Sequence, residues 1–268
     1  MKQVLGKKQT SSDSAWFHAI KHIEEYITKD EVESYAETAI QRIRDFTSGK
    51  NAAYGWSGGK DSIVLADLCE AAGIHRGFMA YSNLEYPAFM NWCKKNKPSG
   101  VEAIHVDLDL DWLAKHPEFI FTTDPVVVER WIKMDQRRPF TKMFFENHLD
   151  VLLVGHRVID GNNCGKDGVI RKRSGEVRYT PIYDWPHEAL LGYIHYKGLE
   201  LPPIYGWKDG FMNGTHPWPK RARCATLEQG YAEVYEIDPS IVITAAEKIP
   251  SAAAFLEHLK EVNTSDTE

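Results

Sequence analysis

The sequence predicts an α/β protein built on a doubly wound parallel sheet with helical additions at both ends. Short apolar runs recur along the chain, and most are followed by a stripe of apolar residues at helical spacing. The connections between successive runs are of helix length, which implies parallel strands with helices on both faces. The chain has 268 residues, 43% hydrophobic and 26% charged, ample for a real core.

The elements follow in order. Trp16, Ile20, Ile23 and Ile27 fall at spacings of 4, 3 and 4, one stripe of an amphipathic helix. Thr28 with Glu31 has the pattern of a capping box, opening a second helix whose stripe is Val32, Ala36, Ala39, Ile43 and Phe46. Ser48-Gly49 ends it. Asn51–Trp56 reads as a strand that breaks into Ser57-Gly58-Gly59-Lys60-Asp61-Ser62, and a helix runs from there to Gly73. Further strands are expected at Gly77–Tyr81, Val101–Leu108, Asp150–Val158 and Val177–Trp185. Helices are expected at Pro87–Lys95, Phe140–His148, from Pro186 to Gly198, and near Thr226–Tyr235 and Ser240–Leu259. Leu201–Pro219, rich in Pro, Gly, Trp and Tyr, reads as irregular. The chain divides into a helical segment at 1–49, a nucleotide-binding domain at 50–200 and an extension at 201–268.

Composition narrows the partners. Lys+Arg 32 against Asp+Glu 38 gives a net charge of −6, so any polyanion site must be local. The four cysteines lie far apart with no CxxC, which argues against a disulfide framework and thiolate metal sites. No apolar run approaches a membrane span, and Met1 to Ser14 has no signal-like apolar stretch. A reduced, cytoplasmic protein with no membrane partner is expected. Asp107, Asp109 and Asp111 alternate, but Trp112 stands where a calcium loop needs glycine, so a helix cap is the better reading.

The chemistry concentrates at Ser57–Ser62. Two glycines allow a sharp turn and close approach of backbone to an oxyanion. The following helix aims free N–H groups and its positive end at the same spot. Lys60 adds charge, and Ser57 and Ser62 add hydroxyls. A Walker loop is excluded because Gly55 and Gly59 are separated by three residues, not four, and Asp61 follows the lysine.

SGGKDS after an apolar strand resembles the PP-loop of the N-type ATP pyrophosphatases. Their superfamily includes the sulfonucleotide (PAPS and APS) reductases, the large ATP-sulfurylase subunit and nucleic-acid sulfur-transfer enzymes. Three further segments carry the likeness: Tyr81-Ser82-Asn83-Leu84-Glu85-Tyr86-Pro87, Val154-Gly155-His156-Arg157 and Tyr179-Thr180-Pro181-Ile182-Tyr183-Asp184-Trp185. It spans roughly residues 50 to 200 and is closest to the PAPS-reductase branch. The resemblance implies an adenine-nucleotide α-hydrolase-like, Rossmann-like fold with nucleotide at the carboxyl ends of the strands. It places Ser57, Gly58, Gly59, Lys60, Asp61 and Ser62 at the phosphates. Tyr81, Ser82 and Asn83 fall at the adenosine, and Gly155, His156 and Arg157 at the substrate's anionic part. Lys60, Asp61 and Arg157 are the expected catalytic residues, with Asp61 also a candidate Mg²⁺ ligand.

The chain departs from the reductases in lacking a C-terminal Glu-Cys-Gly-Ile/Leu-His motif, and no cysteine follows Cys224. The paired cysteines of the iron–sulfur subgroup are missing too, so no such cluster is expected. Cys224, beside Arg223, is either a reactive thiol or a plain buried cysteine. Lys166–Arg178, a basic, glycine-studded stretch, reads as a lid gripping an anion through Arg171 and Arg173, or as a solvated hairpin. Arg221 and Arg223 form a second basic cluster with Lys220. The expected function is cleavage of ATP to AMP and pyrophosphate, with adenylation of an acceptor for sulfur or amine transfer. The alternatives are a sulfonucleotide-reductase-like enzyme and a nucleotide-binding partner protein without chemistry. ATP and Mg²⁺ are the expected ligands. The acceptor, nucleic acid or small molecule, and a homo-oligomeric state stay open.

Overall fold

The computed structural model describes residues 1–221 and 226–265. Helix α1 (Asp13–Lys21) starts on Ser12, whose hydroxyl accepts from the Ala15 N–H. The stripe expected to run unbroken to Ile27 stops at His22, and Ile23–Glu25 forms a 3-10 turn, although Trp16, Ile23 and Ile27 are all buried. Helix α2 (Lys29–Thr47) opens on the full capping box of Thr28 and Glu31. Strand β1 (Ala52–Gly55) leads to α3 (Lys60–Ala72), β2 (Gly77–Ser82), α4 (Pro87–Asn96) and β3 (Val101–Val106). Helices α5 (Leu110–Lys115), α6 (Pro125–Ile132) and α7 (Arg138–Glu146) precede β4 (Val151–Leu153). The alternating aspartates end in a cap, Asp109 accepting from the Trp112 N–H at 2.8 Å to open α5.

Strands β5 (Val169–Arg171) and β6 (Val177–Tyr179) come next, followed by α8 (His187–Lys197). Four of the expected strands are shorter than read, β1 and β3 slightly and two others by more: β4 stops at Leu153 and β6 at Tyr179. The stretch from Leu201 is irregular except for a 3-10 turn and the one-turn helices α9 (Gly210–Asn213) and α10 (Trp218–Arg221). Helices α11 (Leu227–Ile237), α12 (Pro239–Ala246) and α13 (Pro250–Ser265) complete the described chain.

The six strands form one sheet in the order β3-β2-β1-β4-β6-β5. Strand β1 pairs in parallel with β2 and β4, and β4 with β6, whereas β5 closes the edge antiparallel to β6. The basic stretch read as a lid or a hairpin is therefore a hairpin in the sheet. Because the chain moves outward from β1 to β3 and then returns to β4 on the other side, the order reverses between β1 and β4. Loops leaving their carboxyl ends diverge there, which opens a crevice in folds of this kind.

Two compact units emerge. The first comprises Met1–Met79, Trp92–Ile104 and Phe140–Gly214. Here alternation along β1 sends Ala53 to one face, where it joins Phe78, Leu152 and Val154 against Met143 and Phe144 of α7. Tyr54 points to the other face, covered by α3, which packs on α2 and α8. The second unit comprises Ala80–Asn91, His105–Pro139 and the described part of Thr215–Glu268. Aromatic residues dominate its core: Phe121 meets Tyr231 edge-on at 5.0 Å, and the buried Trp131 donates to the Phe119 carbonyl at 2.9 Å.

Candidate functional site

The site in the first unit grows from the turn between β1 and α3. Gly58 has φ +67°, a left-handed conformation that favours glycine, and Gly59 caps α3 with extended backbone. Since Gly59 has no side chain to cap with, hydroxyls from elsewhere accept the loop's N–H groups. Ser57 N–H donates to Ser62 Oγ at 3.0 Å, and Lys60 N–H donates to Tyr205 Oη at 2.8 Å. Ser62 in turn donates to the Gly59 carbonyl at 2.9 Å. The turn is thus held by hydroxyl oxygens that accept from its backbone N–H groups.

Beside it lies a four-membered ion network. Lys60 is only 2% exposed, and its Nζ sits 2.6 Å from Asp61 Oδ2 and 3.7 Å from Asp160 Oδ1. Arg157 Nε donates to Asp61 Oδ1 at 2.7 Å, and an Nη lies 2.9 Å from Asp160 Oδ2. Burial alone would raise the Asp61 carboxyl, but Lys60 and Arg157 hold it well below the usual carboxylate range. The Arg157 guanidinium also donates to the Trp185 carbonyl at 3.2 Å and hydrogen-bonds His187 Nδ1 at 3.1 Å.

The backbone brings these groups together. A Cβ on Gly155 would stand 2.9 Å from the Asp61 carbonyl oxygen, so the segment leaving β4 touches the first turn of α3 only because residue 155 has no side chain. His187, the first residue of α8, is fully buried. Burial first, then the nearby Arg157 and Lys60 charges, push its imidazole down to about 2. The neutral ring accepts from Arg157 and sits edge-on to Trp16, with centroids 4.5 Å apart.

This burial has a pH signature. Below the ordinary value of 6.5 the unfolded chain takes up a proton on His187 that the folded chain refuses until about pH 2. Stability therefore falls as pH drops through that window, by up to about 1.4 kcal/mol per pH unit. Asp61 acts in the same direction, but only below its ordinary 3.8. His187→Asn keeps an acceptor for Arg157 and is expected to flatten the fall between about pH 6.5 and pH 4. Urea midpoints across that range measure it, and an equal fall in both proteins would remove His187 as the source.

The expected site residues divide by place. Ser57, Gly58, Gly59, Lys60, Asp61, Ser62, Gly155, His156 and Arg157 all fall in the first unit, around the β1 and β4 ends. Arg157, expected to face the substrate's anion, is 0% exposed and wholly engaged by protein groups. Asp61, the candidate Mg²⁺ ligand, accepts from Lys60 through Oδ2 and from Arg157 through Oδ1. No group of three or more His, Cys, Asp or Glu among the described residues is arranged to hold a metal ion. Asp160, His187 and Tyr205 join the network without having been expected there.

Tyr81, Ser82 and Asn83 belong to the second unit. Tyr81 packs edge-on against His105, Ser82 Oγ accepts from the Leu84 N–H, and Asn83 hydrogen-bonds His105. Arg171 and Arg173 are exposed on the edge hairpin. Lys220, taken with Arg221 and Arg223 as a basic cluster, lies in the second unit with its side chain 6% exposed, 2.9 Å from Asp135. The side chains of Arg221, Arg223 and Cys224 lie outside the described residues.

A family model, the phosphoadenosine phosphosulfate reductase domain, matches residues 51–212, more than half of the chain. Among solved structures, a phosphoadenylyl-sulfate (PAPS) reductase from Candida auris in a phosphate complex is similar with a TM-score of 0.52 at 12% identity, covering 72% of this chain and 96% of that one. An NH3-dependent NAD synthetase from Campylobacter jejuni subsp. jejuni, in complex with nitrate, gives a TM-score of 0.45 at 15% identity, covering 84% and 96%. No curated protein matches the sequence. The first structural likeness speaks to the fold and agrees with the sheet described above. On the family match, the chain belongs to the phosphoadenosine phosphosulfate reductase domain family of the PP-loop superfamily.

Proposed function

We propose that this protein binds an adenine nucleotide at Ser57–Ser62 and cleaves ATP between its α and β phosphates, adenylating an acceptor and releasing pyrophosphate. The observation that carries this reading is the turn itself. Gly58 is left-handed, and the N–H groups of Ser57 and Lys60 at the start of α3 are accepted by hydroxyls that phosphate oxygens can replace. Lys60 is the cation nearest the leaving pyrophosphate, where it offsets the charge that develops as the phosphoanhydride bond breaks. Asp61 orients Lys60, and Arg157 acts through Asp61 as a positioning residue. The acceptor's nucleophile attacks the α phosphorus and expels pyrophosphate, and a second nucleophile, a sulfur or an amine, then bonds to the activated acceptor and displaces AMP.

ATP is favoured over a sulfonucleotide by the thiols. Reduction of PAPS or APS needs a thiolate. Among the described residues Cys69, Cys93 and Cys164 are buried. Burial pushes the Cys164 thiol up to about 11 and the Cys69 thiol higher still. Only Cys224 is left as a candidate for that chemistry.

Product analysis tests the proposal. With α- and γ-labelled ATP and candidate acceptors, AMP and pyrophosphate are expected rather than ADP and phosphate. ADP as the main product would overturn it. Sulfite release from PAPS that disappears in Cys224→Ala would favour the reductase reading instead.

A further inference from the structure

The first unit contains a second opening, which runs along α3 from beside the phosphate turn. It is a cleft of about 570 Å³ beside α3, with its floor on β1 and its far wall on α4 and the segment after α8. Its volume falls in the usual range for small-molecule sites. Glu70, on its rim, lies ten residues along α3 from Lys60, about 15 Å at the rise of an α-helix. Trp56, which lines the cleft, directly precedes the phosphate turn and Ile63 directly follows it, so the cleft begins beside the turn and runs along α3 to Glu70.

The inner wall is aromatic. Tyr54, Trp56 and Trp92 line it, and the two indoles lie nearly parallel, with centroids 6.2 Å apart and 9° between planes. The rim is acidic, formed by Asp67, Glu70 and Glu200, and none of the described lining residues is Lys or Arg. Each carboxylate is oriented through one oxygen. Tyr193 Oη donates to Asp67 Oδ2 at 2.5 Å, Trp92 Nε1 donates to Glu200 Oε1 at 3.0 Å, and His75 Nδ1 lies 2.8 Å from Glu70 Oε1. The second oxygen of each is left as an acceptor.

The backbone adds the same sign. Asn96 is the last residue of α4, Glu70 sits in the last turn of α3, and Leu199 follows the Gly198 cap of α8. Three helix C-termini, each the negative end of a macrodipole, thus converge on the cleft. Of the inner-wall aromatics Trp92 is the most exposed, at 8%, with Tyr54 and Trp56 at 1%; aromatic faces attract cations. A phosphorylated or carboxylated ligand would be repelled here, and a neutral apolar one would gain nothing from the rim.

We propose that this cleft binds a small organic cation, an amine or guanidinium carried on an apolar, preferably aromatic, body. The full chain titrated calorimetrically with phenethylamine is expected to show saturable binding, at least about tenfold tighter than for 2-phenylethanol, which exchanges the ammonium for a hydroxyl. Glu70→Gln and Glu200→Gln are each expected to weaken it about three- to tenfold, with less effect at high salt. ATP binding in the Glu70→Gln/Glu200→Gln double variant should match wild type, which separates this site from the proposed nucleotide site. Equal affinity for the alcohol, undiminished amine binding in that double variant, or no saturation below about 10 mM would each overturn the proposal.

Discussion

Replacing Arg157 with alanine is expected to lower the unfolding free energy by about 3–5 kcal/mol, the usual cost of removing one partner from a buried ion pair. The guanidinium is fully buried and is shared between Asp61 and Asp160. Without it, Asp61 keeps Lys60 at 2.6 Å and Asp160 keeps Lys60 at 3.7 Å, and His187 and the Trp185 carbonyl lose their donor. Arg157→Lys retains the charge but cannot span four partners, so it should recover only part of the loss. By contrast, Arg171→Ala and Arg173→Ala, exposed on the edge hairpin, should each shift stability by under about 0.5 kcal/mol. Urea denaturation with unchanged m-values measures all four variants. A loss below about 1 kcal/mol for Arg157→Ala would mean that the network does not depend on this residue.

Gly58→Val should reduce ATP and pyrophosphate binding by more than about a hundredfold, equivalent to about 2.7 kcal/mol. At φ +67° a β-branched side chain is a conformational outlier, so the turn must rearrange to accept it. The N–H groups of Ser57 and Lys60 then no longer converge. Gly58→Ala, which can visit the left-handed region at smaller cost, should lie between the two. Calorimetric titration reads the binding, while far-ultraviolet circular dichroism checks that the sheet and helices persist. Wild-type affinity for both ligands in Gly58→Val would end the assignment of this turn to phosphate.

Both expectations start from residues with different visibility in the sequence. Gly58 was legible because a phosphate turn demands a special backbone, and special backbones demand glycine. Thr28 and Glu31 were legible for a similar reason, since a capping box is a local chemical bond pattern. Asp160, His187 and Tyr205 were not. They meet Lys60 and Arg157 only in the folded chain, Tyr205 from 145 positions away, and no periodicity announces such a meeting. Strand β5 was missed because its three residues sit among glycines and charges with no alternation to read. Helix α6 begins on a recognisable signal, Asp124 as cap and Pro125 in the first turn, yet its three successive valines dilute the helical pattern. The position of Arg157 was legible, but its burial was not, because that depends on what α8 lays across it.

The contact between Gly155 and Asp61 bears on how a ligand could be received. Backbone meets backbone there, with no compressible side chain between the end of β4 and the start of α3. The strands that lead into them, β1 and β4, are paired in the parallel ladder of the sheet. The turn therefore has no hinge of its own. Its donors are fixed in direction before anything arrives, so the loss of conformational entropy that a mobile loop would suffer on binding is taken at folding instead. What remains to rearrange is local: the Ser62 hydroxyl can turn away about its Cα–Cβ bond, whereas the Tyr205 oxygen leaves only if its buried ring shifts.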